Sequence, residues 1–104
     1  MLIKLSKQQC FSLFKRIIKC IKKSKKGFFI FKKMRGVHGI CDWDRGIFID
    51  YRKELVNTVI HECLHYIEPN WSEVQILYAE KRIVNCLTKK QIILLLKNFL
   101  KKIK

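Results

Sequence analysis

Residues that interrupt regular structure are scarce in this sequence, which contains one proline and four glycines among its 104 residues. Because such residues mark most turns and linkers, their scarcity argues against a long linker between domains. No internal repeat is present. A chain of this length is sufficient for one domain with a modest core and insufficient for two. We therefore expect a single domain over residues 1–104.

Long hydrophobic runs are also missing. The longest are Phe28–Phe31 and Ile92–Leu96, whereas a membrane-spanning helix needs about 18 apolar residues or more. The first residues lack the apolar stretch and the small-residue cleavage site of a secretory signal peptide. The five cysteines are odd in number and form no Cys-x-x-Cys pair. We therefore expect free thiols, no transmembrane segment and a cytoplasmic, intracellular location.

Acidic residues are absent from both ends of the chain. Residues 1–35 contain 12 lysines and arginines and residues 81–104 contain 8, without one aspartate or glutamate. All 8 acidic residues lie in residues 36–80 together with 3 basic residues, so this segment has a balance of 3 − 8 = −5. Basic ends bind polyanions such as nucleic acid or anionic lipid, and they are also typical of solvated helix faces. Both interpretations stay open.

The first half of the chain shows one helical segment followed by short strands. Ser6 can cap a helix in which apolar residues recur at three- and four-residue spacing, and Lys25–Gly27 should end it. Aromatic and β-branched residues then predict three strands. The strands are Phe28–Lys33, Val37–Cys41 and Ile47–Asp50. Turn residues between the second and third strands predict a hairpin.

Three helices are predicted in the second half of the chain. Helical periodicity returns from about Lys53 to Ile67, Ser72 can cap a helix that runs to about Leu87, and Thr88 can cap the last helix. The apolar side of the last helix should carry Ile92, Leu95, Leu96, Phe99, Leu100 and Ile103. The expected fold class is therefore α+β, with an N-terminal helix and three later helices packed on a small three-stranded sheet that contains a hairpin.

The first of these three helices contains the sequence His61-Glu62-Cys63-Leu64-His65. Positions four apart lie one turn apart on the same helix face, so both imidazoles can bind one cation at about 2.0–2.1 Å. Glu62 lies about 100° round the helix and can act as the general base for a water that the metal activates. The surrounding residues are uncharged, as in a buried helix, and binding a cation explains why polar side chains are buried there.

This motif resembles the active-site helix of the zincin metallopeptidases. The similarity extends from Arg45 to about Leu87, since a short strand also precedes the helix. The chain is most similar to the minimal gluzincins of about this length, sometimes called minigluzincins. The resemblance implies a zincin-like fold, a bound zinc ion and hydrolysis of peptide bonds in peptide or protein substrates. It also implies that His61 and His65 bind the zinc and that Glu62 is the general base.

The resemblance further implies a third zinc ligand. No histidine follows His65, so a glutamate on the next helix is the remaining route, as in the gluzincins, and Glu73 and Glu80 are the candidates. If the chain reverses at Pro69, Glu73 lies at the height of His65, since each is four residues from the proline. Glu80 lies about 10.5 Å farther along, where it could accept the other N–H of an imidazole. We expect Glu73 to be the third ligand. Glu80 is expected to accept a hydrogen bond from the imidazole of a ligand histidine, or to be the alternative ligand. His38 is expected on the substrate side or the surface.

Together these observations predict a zinc-dependent metallopeptidase that hydrolyses peptide bonds with Glu62 as general base. The alternative is a non-enzymatic basic module that binds nucleic acid and has a structural or vestigial metal site. A third hypothesis is a membrane-active basic protein, because residues 7–25 and 89–104 are Lys-rich and amphipathic.

Overall fold

The computed structural model describes residues 4–50 and 54–103, which form four helices, three strands and the turns between them. In chain order they are α1 (Lys7–Lys23), β1 (Phe29–Phe31), β2 (Gly39–Asp42), β3 (Gly46–Ile49), α2 (Leu55–Ile67), α3 (Glu73–Cys86) and α4 (Lys89–Leu100). This order confirms the predicted α+β class. Lys53, where we expected the second helix to begin, lies outside the described residues. None of the helices in these two ranges has the length and apolar character needed to cross a membrane.

Helix α1 begins and ends on serines. The Ser6 hydroxyl accepts a hydrogen bond from the backbone N–H of Gln9, whose side chain in turn accepts from the Ser6 N–H. At the other end, Ser24 is extended and its hydroxyl donates to the Ile21 carbonyl over 2.7 Å. The helix therefore ends at Lys23, and the expected end at Lys25–Gly27 is wrong: Gly27 lies in the following turn with φ 92°.

The sheet has β3 at its centre, with β1 parallel and β2 antiparallel to it. At the hairpin, Asp42 Oδ1 accepts from the N–H groups of Asp44 and Arg45 at 2.9 and 3.1 Å. Gly46 follows with φ 125°, and a Cβ there would collide with the Phe28 carbonyl oxygen. Only glycine therefore lets β3 lie this close to β1. The outer strands are shorter than predicted, because each pairs with a central strand of only four residues.

Helices cover one face of the sheet. Phe29, Ile47 and Ile49 are fully buried on that face, while Phe48 and Ile40 on the opposite face are partly or largely exposed. Helix α2 packs against β2 and β3, and α3 packs against α2. This one-sided arrangement brings the motif helix beside the edge strand β2.

Helices α1 and α4 complete the core around the sheet. Leu95 and Phe99 of α4 are buried, and the Phe99 ring meets Phe29 edge-on with centroids 5.1 Å apart. The prediction for Leu100 is wrong, because this residue lies on the outer side of α4 and is 58% exposed. Ile103 packs against the core as expected, but it lies beyond the helix, where it forms a β-bridge with Phe29.

The end of α2 is held by α1. Arg16 Nη2 donates to the Ile67 carbonyl at 3.2 Å and to Glu68 Oε1 at 2.7 Å. The Glu68 N–H closes the last helical turn by donating to the Leu64 carbonyl. Two residues later, Asn70 and its neighbours reverse the chain into α3.

Candidate metal centre

Helix α2 is positioned by its uncharged side. Val59, Ile60, Cys63 and Leu64 are fully buried among the sheet and the other helices. Burial of this face orients the histidines of the motif toward α3. Helix α3 begins directly after the chain reversal, because the Ser72 hydroxyl accepts from a backbone N–H of its first turn.

Glu73, the first residue of α3, contacts both histidines of the motif. Its Oε1 atom lies 2.8 Å from His61 Nε2, and its Oε2 atom lies 3.0 Å from His65 Nε2. One ligand atom from each of the three residues lies within 4.8 Å of the other two. Two imidazole nitrogens and one carboxylate oxygen are a donor set that divalent transition metals accept. The group of His61, His65 and Glu73 could therefore hold a metal ion.

Glu80 lies behind His61, two turns farther along α3. Its Oε1 atom is 2.7 Å from His61 Nδ1, and Asn57 Nδ2 donates to its other oxygen at 3.1 Å. In the tautomer that carries its proton on Nδ1, His61 donates to this carboxylate, and Nε2 can offer its lone pair to a cation. The structure thus brings both predicted glutamates to His61, on opposite nitrogens.

The contact between His61 and Glu80 shifts their pKa values in opposite directions. Burial alone would lower the pKa of His61, but the hydrogen bond to Glu80 and the charges of three nearby glutamates raise it. Burial alone would raise the pKa of Glu80, but the hydrogen bonds from His61 and Asn57 hold it below its usual value. Glu80 therefore stays ionised and keeps the imidazole oriented.

Glu62 lies next to His61 on the side of α2 that faces β2, and it is 5% exposed. Burial raises its pKa to about 7, although His61 and a hydrogen bond from the Cys41 backbone N–H both act to lower it. Alternate residues of β2 point their backbone N–H groups away from β3, and Cys41 is one of these. The edge of the sheet therefore holds the carboxylate of Glu62 in place.

Gly39 lets the sheet and the helix come this close. A Cβ at this position would lie 2.9 Å from Glu62 Cγ and 2.9 Å from Thr58 Cγ2. Such distances are shorter than side chains tolerate, so a larger residue would displace the helix or the strand. The hydroxyl of Thr58 is buried and has no hydrogen-bond partner among the described residues.

Two clefts of about 340 and 430 Å³ adjoin the histidines. His61, Glu62 and Glu73 line both of them. The smaller cleft extends past His38 toward Glu80, and the larger one extends along β2. The carboxylate of Glu62 and the possible metal ligands therefore open to the same space.

The structure brings together all five residues that the sequence singled out, and their roles stay predictions. His38 is exposed and lines the smaller cleft, but it is not part of the group that could hold a metal. Sequence reasoning missed Asn57, although its position four residues before His61 places it on the same helix face. It also missed the contact between Gly39 and Glu62, because a glycine in a strand indicates a close approach but does not tell which residue approaches.

Comparisons of the chain with protein-family models, with curated proteins and with solved structures gave no match.

Proposed function

We propose that this protein is a zinc-dependent metallopeptidase. The observation that carries the proposal is that one carboxylate, that of Glu73, reaches the Nε2 atoms of both His61 and His65. Catalytic zinc sites have three protein ligands and leave a fourth position for water or substrate, whereas structural sites use four. Among the described residues, no fourth histidine, cysteine or carboxylate joins the group. The donor set therefore favours catalysis over a structural role.

Zinc bound by these residues would polarise a substrate carbonyl and acidify a water molecule. The proton transfers belong to Glu62, which borders the same clefts. In this proposal Glu62 takes a proton from the attacking water and delivers it to the leaving amine. A pKa of about 7 suits both steps, because the carboxylate can accept and release a proton near neutral pH.

The cleft walls favour a substrate with apolar side chains. Val37, Ile40, Trp43 and Leu77 line the clefts and are each more than 40% exposed. Exposed apolar side chains beside a polar centre are typical of binding sites that orient a ligand with few polar groups. An unfolded or extended peptide that presents apolar residues fits this surface.

The test compares the parent with Glu62→Gln in zinc content and in cleavage of an unfolded protein such as casein. We expect about one zinc per chain in both, with cleavage abolished only in the variant, since the amide cannot accept a proton. Asp44→Asn is the control, because it converts an exposed carboxylate that lines neither cleft into the amide. A parent that binds zinc without cleaving any substrate, or a Glu62→Gln variant that cleaves normally, would contradict the proposal.

A non-enzymatic module that binds nucleic acid remains the alternative proposal. The distribution of charge favours it, since 20 of the 23 basic residues lie in the two end segments that lack carboxylates. This alternative predicts binding to nucleic acid that weakens steeply with salt and does not depend on Glu62.

A further inference from the structure

The outer face of α4 combines lysines with exposed aliphatic side chains. The six residues of this face are Lys90, Ile93, Leu94, Lys97, Leu100 and Lys101. At 100° per residue they fall within an arc of about 120°, opposite the buried Leu95 and Phe99. A helix face that only meets water normally carries polar residues throughout. This face therefore has the composition of an interaction surface.

The three aliphatic residues of this face are all exposed. Ile93 is 44% exposed, Leu94 is 43% exposed and Leu100 is 58% exposed. Ile93 and Leu100 are seven residues apart and lie one above the other, and Leu94 lies 100° round the helix from Ile93, so the three form a broad stripe along the helix. Within the described residues, the stripe is not covered by another element. A partner would have to bury it.

The lysines of the same face carry uncompensated charge. Within residues 4–50 and 54–103, Lys90, Lys97 and Lys101 have no ion pair. The positive charge extends beyond α4, because Lys102 Nζ donates to the carbonyls of Lys22 and Ser24 and so holds the end of α4 beside the end of α1. Neither helix contains a carboxylate.

We propose that the outer face of α4 docks on an anionic lipid membrane. Lysine side chains are attracted by acidic headgroups, and the aliphatic stripe enters the boundary between headgroups and acyl chains. Nucleic acid would use the lysines and leave the stripe in water. A second copy of the chain would cover the stripe but would place unpaired lysines against each other. An anionic bilayer is the partner that can both attract the lysines and bury the aliphatic stripe.

The experiment measures cosedimentation of the 104-residue chain with vesicles of phosphatidylcholine, with or without about 30 mol% phosphatidylserine. We expect binding to the anionic vesicles and at least tenfold weaker binding to the neutral ones. The variant Ile93→Ser/Leu94→Ser/Leu100→Ser should bind the anionic vesicles roughly tenfold more weakly or worse. Its control is Ile40→Ser/Val74→Ser/Leu77→Ser, which removes three equally exposed aliphatic side chains away from α4 and should bind as the parent does.

The lysines are tested by Lys97→Gln/Lys101→Gln, for which we expect a loss of roughly 25-fold, about fivefold for each charge. Arg45→Gln/Lys81→Gln removes the same charge elsewhere and should change binding less than about twofold. Circular dichroism verifies that each variant is folded. The single change Leu94→Glu repeats the test of the aliphatic stripe with minimal disturbance of the fold.

Three results would overturn the proposal. Equal binding by the aliphatic variant and its control would mean that the surface recognises charge alone. Tighter binding to a short DNA duplex than to the anionic vesicles would assign the surface to nucleic acid. A concentration-dependent dimer that the aliphatic variant abolishes would assign it to a second copy of the chain.

Discussion

The two flanks of α2 hold carboxylates with opposite pKa shifts. On the flank that faces α3, hydrogen bonds from His61 and Asn57 keep the pKa of Glu80 low despite partial burial. On the flank that faces β2, Glu62 has one backbone N–H as its donor, and burial raises its pKa to about 7. Burial raises the pKa of both carboxylates, and its effect prevails at Glu62, which is more buried and has fewer hydrogen-bond donors. Helix α2 thus has an ionised carboxylate of α3 against one side and carries its own proton acceptor, Glu62, on the side that faces β2.

Removing a histidine from the α3 flank should have the largest effect. His61→Ala deletes the ring that joins Glu73 to Glu80, so we expect zinc affinity to fall by about a thousandfold or more. Inductively coupled plasma mass spectrometry of dialysed protein measures this loss. His38→Ala is the control, since His38 lines a cleft but lies outside the group, and it should retain zinc. Equal zinc content in the two variants would contradict the assignment.

The raised pKa of Glu62, on the side of α2 that faces β2, should be measurable in the pH dependence of stability of chelator-treated protein. The folded-state pKa of Glu62 is raised from 4.5 to about 7, so the folded state binds the proton more tightly than the unfolded state. The free energy of unfolding therefore falls as pH rises through this interval, by at most about 3 kcal/mol at pH 8 from this group. In Glu62→Gln this decrease should vanish, and urea titrations at pH 5 and pH 8 measure the difference. Parallel pH profiles for parent and variant would show that Glu62 is not desolvated.

Glu80→Gln tests whether the carboxylate behind His61 matters to metal binding. The amide still fills the space, but it no longer stabilises the imidazole through a charge, so we expect zinc affinity to fall about 10- to 100-fold. Competition with a chromophoric chelator measures the change. Asn57→Ala removes one of the two donors to Glu80 and should produce a smaller loss in the same assay. A zinc affinity unchanged by Glu80→Gln would mean that His61 is oriented by other contacts.

The smallest expected effect concerns the approach of β2 to α2. Gly39→Ala would place a methyl group 2.9 Å from Glu62 Cγ and Thr58 Cγ2, which should destabilise the fold by about 1–3 kcal/mol. Thermal or urea unfolding measures this loss. Repeating Gly39→Ala in a Thr58→Ser background removes one of the colliding atoms, and the cost should shrink. If the cost stays the same, the collision with Thr58 does not determine it.

Much of this arrangement follows from periodicity and caps. The capping residues Ser6, Ser72 and Thr88 each begin the helix that was predicted for them, because a hydroxyl that accepts a backbone N–H is a local interaction. His61 and His65 could be placed on one helix face because they are four residues apart, which is also a local property. Local chemistry was therefore readable from the sequence.

Contacts between distant segments could not be predicted from the sequence in this way. The bridge from Ile103 to Phe29 and the fit of Gly39 against Glu62 depend on how helices and strands meet in space. A helical period also assigned Leu100 to the core side, whereas α4 turns it outward. Periodicity describes one element at a time, so it cannot tell which residues at the border of an apolar face will find a neighbour.

The clamp that Arg16 places on the end of α2 has a consequence for the metal group. Helices ordinarily fray at their last turn, where carbonyls lack partners, and the last turn of α2 contains His65. By donating to the Ile67 carbonyl and to Glu68, Arg16 suppresses this fraying two residues from the imidazole. Helix α1 contributes no donor atom to the group, yet through this clamp the position of the His65 ring depends on it.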